Sequence, residues 1–173
     1  MNLHLHDKTK KMKMRKIISN RVFSITIVVV FMISCQNENH KNMEFPFEEI
    51  NNKVSIIIDK DDSGQNKEIN LADLTPFSWD ELYIFKPYTP LSDIEESLGF
   101  VWKEANKTFI NQEDGFNLLV FIEKKDVIHY TKWPRSKGDF SKIEKSKYLY
   151  DSAKFILKRE KIVNQDWNFF YDK

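Results

Sequence analysis

An α+β fold, with an antiparallel sheet of five or six strands and two helices packed on one of its faces, is the class this sequence predicts. Three observations lead to it. A helical apolar spacing occurs twice before residue 100, at Phe47, Ile50, Val54 and Ile57 and again at Leu91, Ile94 and Leu98. The second half carries short runs of aromatic and β-branched residues, the pattern of strands. The chain holds 14 Phe, 6 Tyr and 4 Trp against 4 Gly and 5 Pro, a composition that favours a packed core over disorder.

The elements follow in order. Phe47 to Ile58 reads as a helix, although Ile56-Ile57-Ile58 is β-branched and pulls towards a strand. Asp59 to Lys67 reads as a polar loop, and Leu71, Leu74 and Phe77 as a short mixed turn. Trp79 to Phe85 reads as a strand stopped by Lys86-Pro87. Thr89 to Gly99 carries the clearest helix signal. Thr89 can cap it with Pro90 at the first helical position, or Ser92 can cap it with Glu95 reaching back. Gly99 ends it. Phe100-Val101-Trp102 and Thr108-Phe109-Ile110 read as short strands. Phe116 to Ile122 and Val127 to Trp133 read as a hairpin across Glu123-Lys124-Lys125-Asp126. Its first arm is nearly all apolar, which places it centrally in the sheet. Ala153 to Lys161 and Trp167 to Tyr171 read as the last strands.

The N-terminus carries a different message. Lys8, Lys10, Lys11, Lys13, Arg15, Lys16 and Arg21 face a single acid, Asp7, and then comes an uncharged run of twelve residues from Val22 to Ile33. A spanning helix needs roughly 20 apolar residues, so the run is short for an anchor and suited to a signal peptide. Met32-Ile33-Ser34-Cys35 resembles the lipobox of bacterial lipoproteins, in which a small residue precedes the lipidated cysteine. The resemblance implies removal of residues 1–34 and lipidation of Cys35, palmitate included. It also explains why an exported chain has one cysteine and no possible disulfide within it. Residues 35–43 then read as a polar tether and residues 44–173 as one globular domain. Translation from Met12 or Met14 would give a more usual leader than Met1. The expected location is extracytoplasmic, on the outer membrane or the outer face of the cell membrane.

Charge must be read without the leader. Residues 1–34 hold seven of the 27 basic and one of the 26 acidic side chains, so the remainder carries 20 and 25, a net of −5. An acidic domain argues against nucleic acid as a partner, since phosphate binding needs a positive face.

Candidate chemistry is sparse. Asp59-Lys60-Asp61-Asp62-Ser63-Gly64 matches the start of a calcium loop, with oxygens from Asp59, Asp61 and Ser63 and glycine at the sixth place. The twelfth place, where a bidentate Glu belongs, is Asn70, so no metal and no cofactor is expected. Beyond Cys35 the histidines are His40 in the tether and His129 in a strand, too few for a zinc site. The sequence has no nucleophile elbow and no phosphate-cradling glycine loop, so no catalytic residues are assigned.

Trp79 to Thr89 is the densest aromatic stretch. Strand alternation puts Trp79, Glu81, Tyr83 and Phe85 on one face and Asp80, Leu82 and Ile84 on the other. On a functional reading Trp79, Tyr83 and Tyr88 form a recognition patch. The basic loop with Lys132, Arg135 and Lys137 would add a grip on an anionic partner. On a structural reading, which is preferred for the aromatic residues, they are core. Trp-Asp-Glu-Leu-Tyr-Ile-Phe, then Pro-Tyr-Thr, then a short helix ending in Leu-Gly, resembles a motif of small bacterial lipoproteins of unknown function. The resemblance spans roughly residues 69–133 and implies family without activity. The expected function is a lipid-anchored binding or assembly module of the cell envelope with a protein partner. The alternatives are an immunity-type inhibitor of an extracytoplasmic toxin or enzyme, and an enzyme with no known motif.

Overall fold

The computed structural model describes residues 42–59 and 66–173. Along the chain lie strand β1 (Met43–Glu44), helix α1 (Phe47–Asp59), strand β2 (Lys67–Asn70), the one-turn helix α2 (Leu71–Leu74) and strand β3 (Glu81–Phe85). Helix α3 (Leu91–Leu98), strands β4 (Phe116–Glu123), β5 (Asp126–Pro134) and β6 (Lys147–Leu149), and the pair β7 (Lys154–Ile162) and β8 (Gln165–Asp172) follow. The expected leader, Cys35, and Asp61 and Ser63 of the acidic loop lie outside the described residues, while Asp59 closes α1.

The α+β class stands, and the strands divide into two sheets. One is five-stranded, in the order β1-β5-β4-β3-β6, and the other three-stranded, in the order β2-β7-β8. Met43, assigned to the tether by sequence, pairs with His129, and β1 runs parallel to β5, which makes the larger sheet mixed. The other pairings between named strands are antiparallel. β4 is central, as its apolar run requires, and it turns into β5 through Lys124 and Lys125, both at positive φ. Two successive residues at positive φ make the tight hairpin turn that matches strand twist.

Because β4 is apolar on both sides, each face of the larger sheet needs a cover. On one face Leu82, Ile84, Leu119, Phe121 and Trp133 meet Ile50 and Val54 of α1, Leu71 of α2, and Phe155 and Phe170 of the smaller sheet. On the other, Tyr83, Leu118, Val120 and Tyr130 meet Ile94 and Leu98 of α3 and Trp102, Ala105 and Ile110 of the following loop. The two helices therefore lie on opposite faces, not on one. Each fully buried large apolar side chain contributes about 1.5–3 kcal/mol. That driving force decides α1. The stripe Phe47, Ile50 and Val54 is buried at helical spacing, which outweighs the strand preference of Ile56 to Ile58. Glu48 and Glu49 in the first turn suit the helix dipole.

Local departures from the expected pattern have specific causes. Trp79 lies outside β3: Asp80 bends the chain, giving its N–H to Ile122 O and accepting Lys124 N–H at 2.8 Å. The alternation is broken there, so Trp79 joins Leu82 and Ile84 rather than Tyr83 and Phe85. Neither Thr89 nor Ser92 caps α3. Pro90 is the N-cap, Thr89 Oγ1 donates to Lys86 O, and Ser92 Oγ donates to Asp93. Gly99 does end the helix, at φ 75°, where a side chain would be strained. The expected strands at 100–102 and 108–110 are instead irregular chain on either side of a turn and a 3-10 helix, Ala105–Thr108. There Thr108 Oγ1 bonds Ala105 O, and the buried residues Trp102, Ala105 and Ile110 pack as single anchors rather than as a strand face.

Tyr148, at the edge of the first core, donates its hydroxyl to the Asp172 carboxylate. Burial, and then that carboxylate, push its phenol well above the ordinary range. The folded chain therefore holds this proton where the unfolded chain, with a phenol near pKa 10, releases it. Stability present below about pH 10 is lost as pH rises above it. Tyr148→Phe flattens this alkaline limb in urea titrations run from neutral to high pH. An unchanged limb would assign the loss to other groups.

Candidate functional site

The sequence-derived patch does not come together as one surface. Trp79 is 3% exposed and gives its indole N–H to Thr75 Oγ1, within the first core. Tyr83 is 5% exposed, on the other face of the sheet, with its hydroxyl on Glu81 Oε2. Both are core residues, because the β3 strand that carries or adjoins them is buried on both sides. Arg135 is spent on structure: Nε and Nη2 reach Asp139 Oδ2 at 2.8 and 2.7 Å, and Nη1 donates to Asp114 O. Lys137 is exposed.

Tyr88 and Lys132 do belong to a surface, and they gather a residue that sequence reasoning had assigned to a strand, Phe109. Tyr88 is 58% exposed and Phe109 47%. Both sit at positive φ, 62° and 59°, where bulky residues are outliers. The Tyr88 N–H donates to Ile110 O at 2.8 Å, which ties the two strained loops together. Lys132 Nζ lies 5.9 Å from the Phe109 ring centre and 5.3 Å from that of Phe116. A cation over an aromatic face is attracted by the ring quadrupole. The backbone bond thus joins the two loops that carry the exposed rings of Tyr88 and Phe109 into one aromatic ridge, with an ammonium over Phe109.

Lys132 also lines an adjoining cleft of about 430 Å³. Its walls are Glu44, Phe45, Phe47 and Glu48 on one side and Thr131 and Pro134 on the other. The cleft exists because β1 pairs with β5 only at His129 and Tyr130 and then leaves into α1. The carboxylate of Glu44 also touches the electrostatics of β5. Burial first, then Glu44 and Glu104, raise the Tyr130 phenol above its usual range. Behind the cleft, Thr131, Asn117 and Trp133 are fully buried, and Thr131 Oγ1, the Asn117 amide and Trp133 Nε1 have no protein hydrogen-bond partner. Asn117 and Trp133 are cross-strand neighbours, and Thr131 is two residues along the same face. A buried polar group without a partner costs about 1–3 kcal/mol. Thr131→Val, which keeps the shape, therefore raises unfolding stability by about 1 kcal/mol in urea titration. A loss of stability would show that the hydroxyl is satisfied in solution.

The described residues contain no group of three or more His, Cys, Asp or Glu placed to hold a metal ion. His129 is buried in β5 against the rings of Phe45 and Phe77, at 5.8 and 4.2 Å, and those two rings also meet each other at 5.0 Å. The signal for Phe109 was available in principle, as an aromatic residue between two polar stretches, but its left-handed backbone depends on the loop it closes. No protein-family model, no curated protein and no solved structure matches this chain.

Proposed function

We propose that this protein is a lipid-anchored binding module of the cell envelope, held by a lipid on Cys35 and engaging a protein partner through the ridge of Tyr88, Phe109 and Lys132. One observation carries the reading. Two exposed aromatic side chains are kept on left-handed backbone, each at a cost of order 1 kcal/mol, and backbone strain of this kind clusters at ligand clamps. Rigid aromatic anchors beside a cation are the usual content of an interface hot spot. The leader pattern and the small residue before Cys35 support the anchor, and the acidic balance of residues 35–173 supports a protein partner over nucleic acid.

The test is cross-linking in native membranes followed by mass spectrometry, on the unaltered chain, Cys35→Ala, and Tyr88→Gly with Phe109→Gly. The expected result is one dominant partner, lost in both variants, with fatty-acid label absent only from Cys35→Ala. Tyr88→Gly keeps the folded state intact or makes it more stable by up to about 1 kcal/mol, since glycine accepts the left-handed backbone. A partner retained by the glycine variant would remove the ridge from the reading. A partner that is itself a secreted toxin or enzyme would make the module an immunity-type inhibitor.

A further inference from the structure

The smaller sheet has an edge that is covered only in part. β8 is its outer strand, and the single residue Asp139 lies alongside it. Asp139 N–H donates to Asn168 O and Asp139 O accepts from Phe170 N–H, both at 2.9 Å, so this residue acts as a one-residue parallel strand against Phe169. In an extended strand the N–H and C=O of one residue point to the same side, and alternate residues point alike. The groups of Asn168 and Phe170 thus set those of Asp166 and the N–H of Asn168 pointing outward as well. Towards the hairpin tip, beyond Asp139, no named strand continues the ladder.

A groove of about 580 Å³ runs along this stretch. Its floor is Trp167 stacked on Phe169, at 6.5 Å and 23°. Its far wall is Ile162, 42% exposed, and Val163, 90% exposed. Natural sheet edges are usually blunted by charge, proline or a bulge. Here the stretch of edge strand beyond Asp139 carries one charge, Asp166, and the groove beside it is walled by the apolar Ile162, Val163 and Trp167. Val163 is also held at φ 46°, a region that β-branched residues rarely adopt, and this keeps its side chain at the rim. The carboxylate in the groove, Asp139, is spent on Arg135, whereas Lys142 holds its ammonium 5.5 Å above the Phe169 ring. The balance of charge in the groove is therefore positive, on an otherwise acidic domain.

We propose that the β8 edge between Asp139 and the hairpin tip takes up an extended segment of a partner protein by strand addition, with an apolar side chain on Trp167 and a carboxylate near Lys142. Strand addition draws affinity from main-chain hydrogen bonds and specificity from alternate side chains. The outward groups of Asp166 and Asn168 supply the first, and Trp167 with Lys142 the second. The surface is distinct from the ridge of Tyr88 and Phe109 and does not rest on it.

The test is nuclear magnetic resonance on the full, isotope-labelled chain in detergent. The probe is an acetylated, amidated peptide with isoleucine and aspartate two residues apart and threonine at the other positions, so that both side chains face the groove. The control is the same peptide N-methylated at alternate residues, which deletes main-chain donors and keeps the side chains. The expected result is saturable shifts at the amides of Asp166, Asn168 and Asp139 with the first peptide and none with the second. Trp167→Ala weakens binding at least tenfold. Lys142→Glu, an exposed change that leaves the core untouched, reverses the preference towards an isoleucine–lysine peptide. Equal binding of both peptides, no binding, or shifts confined to Tyr88 and Phe109 would overturn the proposal. So would a concentration-dependent dimer, in sedimentation, that is lost in Trp167→Ala, because the occupant would then be a second copy of this chain.

Discussion

Phe140→Ala lowers the unfolding free energy by about 3–5 kcal/mol, the range for removing a large aromatic side chain from a filled core. Phe140 is fully buried. Its ring stacks on Phe170 at 4.2 Å and 10°, and meets Trp133 and Phe155 edge-on at 5.5 and 5.4 Å. These partners come from β5, β7 and β8, so the one ring bridges both sheets. Its loss leaves a cavity that neither sheet can close by moving alone. Gly138, two residues earlier, shows how tight this region is, since a Cβ built there would lie 2.4 Å from Cε2 of Phe170. Urea titration of the variant beside Phe109→Ala checks the expectation. Phe109 is half exposed and outside both cores, so its change stays near 0.5 kcal/mol. Similar losses for the two variants would mean that the aromatic bridge is not what joins the sheets.

Asp139→Ala is the second large effect, a loss of about 3 kcal/mol, the lower end of the range for breaking a buried ion pair. The lower end applies because the two partners differ: the Asp139 side chain is 1% exposed and that of Arg135 32%. The solvated arginine loses less than a buried one would. The same carboxylate accepts the Ser141 N–H at 2.9 Å and so caps the 3-10 turn Phe140–Lys142, which adds to the loss. Arg135→Met in the Asp139→Ala background recovers part of the stability, because no charge is then left without its partner. A double variant as unstable as the sum of the two single ones would show that the pair is not coupled and that the turn cap carries the effect.

Much of the fold was legible in the residues. The stripe of α1 and α3, the β4–β5 hairpin and the β7 and β8 strands each follow from a period in the apolar residues, and a period is a local property. The all-apolar run at Phe116 to Ile122 even identified the central strand, since only a strand buried on both faces tolerates it. The failures share a cause. Trp79 was placed on the wrong face because one bend at Asp80, fixed by a bond to Lys124 far along the chain, resets the alternation. The apolar triplets of the 100–110 segment look like strands, yet only Trp102, edge-on to Tyr130 at 5.3 Å, Ala105 and Ile110 enter the core, while Val101 and Phe109 are exposed.

The candidate site was legible only in fragments. Tyr88 and Lys132 stood out by residue type, and Trp79 and Tyr83 did so equally, because an aromatic side chain serves a core and an interface alike. Exposure separates them, and exposure is a property of what packs above a residue.

The sequence alone supports the α+β class, the hairpin, the central strand and the leader pattern before Cys35. Those rest on periodicity and composition, which one stretch of chain carries by itself. The division into two sheets, the placing of the helices on opposite faces, the left-handed ridge at Tyr88 and Phe109 and the half-covered edge of β8 were decided by the tertiary structure. Each depends on a contact between residues distant in sequence, Tyr88 with Ile110 and Asp139 with Asn168 among them, and no local pattern encodes which distant partner a segment will meet.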